Sequence, residues 1–94
     1  MTYTEKIVGN HMITKGPSIF TSRNNASVCL EDITVQQHVD GVDYGVHRDG
    51  RYYNQVCILD AQTGSIIRGN SGAVTGLPSD VARIVKQMIG GKDD

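Results

Sequence analysis

At 94 residues the chain has the length of one domain spanning 1–94, and a domain of this size buries only about 60–65% of the surface that its unfolded form exposes. Hydrophobic residues make up 38% of it, with no Trp, one Phe (Phe20) and four Tyr, so Val, Ile and Leu must build a thin core and a large buried active site is disfavoured. A formal net charge of -1 lacks both the basic excess that phosphate neutralisation needs and the acidity of a duplex mimic, so direct nucleic-acid binding is not expected.

Met1 to Gly9 interleaves acid and base and does not read as a signal peptide, and no apolar run approaches the ~20 residues of a membrane span. These features point to a soluble, cytoplasmic protein without a membrane partner. In a reducing compartment Cys29 and Cys57, set in separate strand candidates, read as two small buried hydrophobes, with a disulfide as the alternative. Asn25-Ala26-Ser27 matches a glycosylation sequon and, without a secretory signal, reads as a polar turn.

Thr2 to Gly9 alternates weakly, like an edge strand, and ends at Gly9-Asn10. His11 to Thr14 and Ser18 to Thr21 are short apolar pieces split by Gly16-Pro17, which reads as a turn. After a polar loop at Ser22 to Asn25, Ser27 to Val39 is the longest strand signal. Its apolar parity switches around Glu31-Asp32, where a bulge or break is expected.

Asp40-Gly41 and Asp49-Gly50 are both strong hairpin dipeptides, because a type I′ turn needs positive φ at both central positions. A two-residue loop at Asp49-Gly50 would set Arg48 against Arg51, His47 against Tyr52, Val46 against Tyr53 and Tyr44 against Gln55. The strand then runs through Val56 to Leu59 and meets a second hairpin loop at Asp60-Ala61-Gln62-Thr63-Gly64, with the Asp60 carboxylate accepting from the turn and Gly64 left-handed. That phrase resembles one recurring in the blades of quinoprotein-type β-propellers; a single copy builds no propeller and serves as turn chemistry. Counting back from this loop places Leu59 across from Ile66 and Ile58 across from Ile67, which would leave both faces of the hairpin apolar.

One of those faces is matched by a helix over about 78–89. Val81, Ile84, Val85 and Met88 form a single stripe while Asp80, Arg83, Lys86 and Gln87 face away. Pro78 suits its first turn, Asp80 complements the dipole, and Gly90-Gly91 supplies a left-handed stop. The fold class is therefore α+β: a small antiparallel sheet of about four to six strands, lying within 2–75, with one C-terminal helix packed on a face. The N-terminal strands or a second copy of the chain must cover the other face, which makes a homodimer an expectation.

Chemistry-bearing residues concentrate between 38 and 53. His38, Asp40, Asp43 and His47 are the weak candidates for a metal site, since a His and an Asp two apart in a strand share a face and a hairpin could join the two imidazoles; the spacing matches no specific metal motif. Tyr44, His47, Arg48, Arg51, Tyr52 and Tyr53 gather most of the Tyr around one turn and read as a protein-binding surface, the alternative being an ordinary hairpin whose rings cover the core edge. Asp40, Asp43 and Asp49 extend this into an acidic contact surface, within a stretch from Glu31 to Asp60 that carries an excess of four negative charges.

Other motifs carry less. Arg68 to Gly76 is glycine-rich ahead of a helix, but it lacks a Gly-Lys-Ser/Thr ending and Pro78 removes an N–H, so it reads as a joint rather than a phosphate cradle. Gly69-Asn70-Ser71-Gly72 resembles the nucleophile loop of chymotrypsin-like proteases, whose two-barrel fold is too large for this chain. Cys29 or Cys57 paired with His38 or His47 would suit nucleophilic catalysis only with an oxyanion donor nearby, and no family signature supports it. The reading favoured is a non-enzymatic, cofactor-free protein-binding module. Within that class it is a phage or mobile-element inhibitor or accessory protein, acting in an anti-CRISPR-like manner on a larger host complex such as a defence nuclease. The alternatives are a small metal-dependent enzyme or sensor, and a ligand-binding homodimer with Gly69 to Gly76 lining its wall.

Overall fold

The computed structural model describes residues 3–18, 31–39 and 52–91. It is an α+β fold in which β1 (Thr4–Val8), β2 (His11–Pro17), β3 (Glu31–His38), β4 (Tyr53–Asp60) and β5 (Ile66–Arg68) form one antiparallel sheet in sequential order. A short helix α1 (Ser71–Thr75) and a longer helix α2 (Ser79–Met88) follow. The alternation of side chains along each strand separates two faces. Ile13, Ile33, Val35, Cys57 and Leu59 share one face through the pairs Ile13↔Val35, Val35↔Cys57 and Ile33↔Leu59. Val81, Val85 and Met88 of α2 pack on them, with Ile84 half-buried alongside, as the helical stripe requires.

The second face is mostly polar, carrying the cross-strand pairs Thr14↔Thr34 and Gln36↔Gln55. It also buries Met12 and Ile58 and exposes Tyr3 and Ile7. This differs from the two apolar faces expected of the β4–β5 hairpin. Leu59 does pair with Ile66, but the register slips between Ile58 and Leu59, so Ile58 lies opposite Arg68 rather than Ile67. A second irregularity, between Val35 and Gln36, leaves Val56 as the extra residue of a bulge on β4. The parity switch expected near Glu31 depended on Val28 and Leu30, which lie outside the described residues. β2 joins the sheet beside β3 and β1 beside β2, and neither lies across the second face.

Gly16-Pro17 is not a turn but the end of β2, paired with Asp32 and Glu31. Two local features make this possible. The His38 N–H donates to Asn10 O at 2.7 Å, so His11↔Gln37 is a non-hydrogen-bonded pair, and by alternation Pro17↔Glu31 is another. The N–H that Pro17 lacks would therefore point away from β3, toward β1, where pairing has already ended at Thr4↔Lys15. Beside it the Tyr3 ring lies over Gly16, where a Cβ would sit 2.9 Å from Tyr3 Cδ1.

Both ends of the helical region are tied locally. The Asn70 side chain caps α1 by accepting from the Ala73 N–H at 2.8 Å, so the stretch read as a joint holds a helical turn. Pro78 stands just before α2 instead of in its first turn, and Asp80 supplies the first-turn carboxylate. At the far end Gly90 is left-handed with φ 75°, and its N–H donates to Ala61 O at 2.7 Å. Lys15, only 4% exposed on the helix face, donates from Nζ to Met88 O at 2.9 Å, with Glu31 at 4.0 Å.

Lys15→Met keeps the stem and removes the ammonium, and is expected to destabilise the fold by about 1.5–3 kcal/mol, the range for a hydrogen bond from a charged group. Urea unfolding reads this as a lower midpoint at unchanged slope. Gly69, at φ 107°, leaves a Cβ only 3.0 Å from Cys57 Cβ and 3.2 Å from Val56 O. Gly69→Ala is expected to lower stability by roughly 1–3 kcal/mol in the same assay, since both the backbone angle and the contact oppose it.

Candidate functional site

A small pocket of about 150 Å³ opens on the second face, lined by Tyr3, Thr14, Gly16, Asp32, Thr34 and Ile58 together with Pro17. Register explains its composition: Thr14 faces Thr34, Gly16 faces Asp32, and the glycine leaves the space that Tyr3 roofs. Asp32 is a buried residue, 6% exposed, and its carboxylate accepts from Ser18 Oγ at 2.7 Å. Hydroxyls and a buried carboxylate make this an acceptor-rich recess, suited to a donor such as an ammonium or guanidinium group.

At the other end of the sheet lies the described part of the expected Tyr/Arg surface, of which Tyr53, opposite His38, belongs to this same face while Tyr52, one residue earlier, alternates to the other. Tyr52 and Tyr53 enter β4 there, and the Val39 N–H donates to Tyr52 O at 2.9 Å. His38 stacks obliquely on Tyr53, with ring centroids 5.8 Å apart and planes at 58°, and its Nδ1 lies 3.2 Å from Tyr52 O, a donor position in the Nδ1–H tautomer. Tyr53 is buried, whereas Tyr52 is half-buried, so Tyr52 is the better placed of the two for outside contact. In β3 Asp32 and His38 stand six positions apart, so the two ends lie about 20 Å apart along one face.

Tyr44, His47, Arg48, Arg51, Asp40, Asp43 and Asp49 lie outside the described residues, and so do the Val46 and Tyr44 halves of the expected pairs with Tyr53 and Gln55. On the β3 side those two residues pair with His38 and Gln36. Of the metal candidates only His38 is described, and no group of three or more His, Cys, Asp or Glu that could hold a metal occurs among the described residues. The described carboxylates of the acidic stretch have local work. Glu31 faces Lys15, Asp32 takes the Ser18 hydroxyl, and Asp60 Oδ1 accepts from the Gln62 and Thr63 N–H groups at 2.7 and 3.3 Å, as its turn phrase implied. Lys15 and the Ser18–Asp32 pair escaped sequence reasoning because a turn at Gly16-Pro17 hid the strand that positions them.

On the helix side, a groove of about 400 Å³ runs between α1 and α2, walled by Leu59, Val74, Leu77, Val85 and Ile89 with Lys86 at its edge. Cys57 is a free, fully buried thiol on the core face, and burial pushes its pKa up. A nucleophilic thiolate is disfavoured there. No helix among the described residues is long and apolar enough to cross a membrane. No family model, curated protein or solved structure matches the chain.

The Cys57 thiol yields a test of sign as well as size. In the unfolded chain it ionises near its ordinary value of 9.0, while the native state holds the proton to higher pH. Its contribution is thus present below pH 9.0 and lost as pH rises above it, so the wild type should lose stability more steeply in that range than Cys57→Ala. In a Cys29→Ser background, alkylation of Cys57 should run roughly a hundredfold or more slower in the native protein than in urea, because reaction requires opening of the core.

Proposed function

We propose that the protein is a small non-enzymatic binding module that docks on a larger protein through the second face of its sheet and the end where β3 passes to β4. The observation that carries this reading is the one-sided placement of the helices. With α2 committed to the core face, the other face presents an exposed Tyr3, an acceptor-rich recess at Asp32 and, about 20 Å away, the His38–Tyr53 pair, with Tyr52 preceding it at the same end of the sheet. Tyrosines with a polar edge and an acceptor-lined pocket are the elements of an interface centre, which draws contact area from aromatic rings and orientation from a few polar groups. The residues 40–51, with three Asp, two Arg and Tyr44, connect β3 to β4 in the chain and are read as extending the contact region.

The particular form of this reading is an inhibitor or accessory protein of a phage or mobile element acting on a larger complex such as a defence nuclease. Its support is electrostatic: the excess of four negative charges between Glu31 and Asp60 complements a basic groove built to hold nucleic acid. The test is affinity capture of the tagged protein with its assembly, followed by binding constants for variants that keep the native circular dichroism. Arg51→Ala and Tyr52→Ala are each expected to weaken the complex about tenfold or more. Wild-type affinity in both variants, or recovery of the protein with nothing bound, would overturn the reading.

A further inference from the structure

We propose that β1 is a self-association edge, through which two copies of the chain pair antiparallel about a twofold axis at Glu5, setting Tyr3 of each copy opposite Ile7 of the other. The backbone supplies the first argument. Val8↔His11 flanks the two-residue Gly9-Asn10 turn, so this pair is hydrogen-bonded, and so by alternation are Lys6↔Ile13 and Thr4↔Lys15. The intervening positions then turn their peptide groups away from β2. The hydrogen bond from His38 to Asn10 leads to the same phase independently, because it turns the backbone groups of His11 toward β1. Tyr3 and Ile7 therefore present outward N–H and C=O groups along a border that no described strand pairs.

Side chains select the partner and the register. Among the described residues the large apolar side chains that stand out in solvent are Tyr3 at 61%, Ile7 at 46% and Ile66 at 40%; Ile7 lies on β1 and Tyr3 immediately precedes it. Tyr3 and Ile7 share the second face and sit symmetrically about Glu5. A sheet continued by a copy of itself keeps each face matched only if odd positions of β1 meet odd positions of the second copy. Pairing about Glu5 satisfies this and makes two aromatic–β-branched contacts from four exposed side chains. Pairing about Lys6 also matches the faces, but it opposes Ile7 to Glu5, sets two ammonium groups against each other and carries Tyr3 to the Gly9 turn. The chosen register brings two Glu5 carboxylates together at the axis, and this repulsion makes the association weak and reversible. Both copies of α2 lie on the same side of the doubled sheet.

Sedimentation velocity across a concentration series tests the proposal, with circular dichroism to verify the fold of each variant. The wild type is expected to show a reversible monomer–dimer equilibrium. Ile7→Lys should weaken it roughly tenfold, since two cross-strand pairs are lost per dimer and each edge gains a charge. Glu5→Gln should tighten it several-fold, the direction opposite to simple damage. In a Cys29→Ser background Glu5→Cys should oxidise to a disulfide-linked dimer, because paired residues on adjacent strands fall within disulfide reach, and should do so faster than Lys6→Cys. A wild type that sediments as monomer at every concentration, a dimer indifferent to Ile7→Lys, or faster cross-linking at position 6 than at 5 would overturn it.

Discussion

The hydrogen bond from Lys15 to the last turn of α2 is the constraint on which the remaining architecture turns. An ammonium group withdrawn from water needs compensating oxygen atoms, and here the Met88 carbonyl at 2.9 Å and the Glu31 carboxylate at 4.0 Å provide them. The apolar contacts of Val81, Val85 and Met88 hold the helix to the sheet without specifying its position along the strands, because burial of hydrocarbon has no direction. A directed contact at the negative end of the helix dipole fixes that position. The ties then propagate outward: Gly90 donates to Ala61 O, and Ala61 donates to Glu31 O, so one chain of bonds joins the helix end, the β4–β5 turn and the start of β3.

What could be read from the sequence followed the strength of local chemistry. The helix was legible because Val81, Ile84, Val85 and Met88 keep one period, and its end because Gly90-Gly91 admits few alternatives. The Asp60 turn was legible too, since Asp and Gly stand where a side-chain acceptor and a left-handed residue are wanted. Gly16-Pro17 misled because both residues favour turns in isolation. Two tertiary circumstances override them here, a neighbouring strand that stops early and a tyrosine that fills the place of the missing side chain. The register slip beside Ile58 had no local signal at all. It depends on the backbone of Gly69 approaching Cys57 and Val56, a contact between chain segments more than ten residues apart. The recess at Asp32 was illegible for the same reason, as Tyr3, Gly16 and Asp32 meet only when three strands pair in one register.

The two faces divide the work of the molecule. Hydrocarbon, Lys15 and the inert Cys57 thiol lie under the helix, where they serve stability. The opposite surface combines threonine and glutamine with a few aromatic and acidic groups. An antiparallel sheet permits this asymmetry because successive side chains point to opposite sides, so each strand contributes to both faces at once.

The sequential strand order has a consequence for the nascent chain. The five described strands leave the ribosome before any residue of α2. Until synthesis passes Met88 the ammonium of Lys15 has no helix carbonyl to meet, and Ile13, Ile33 and Leu59 lack the helix that covers them. The strands thus precede in synthesis the helix that covers them, and the native packing of the core waits for α2. A stall or premature stop before α2 would release a sheet with its apolar side bare, a species that quality-control factors recognise by its exposed hydrocarbon.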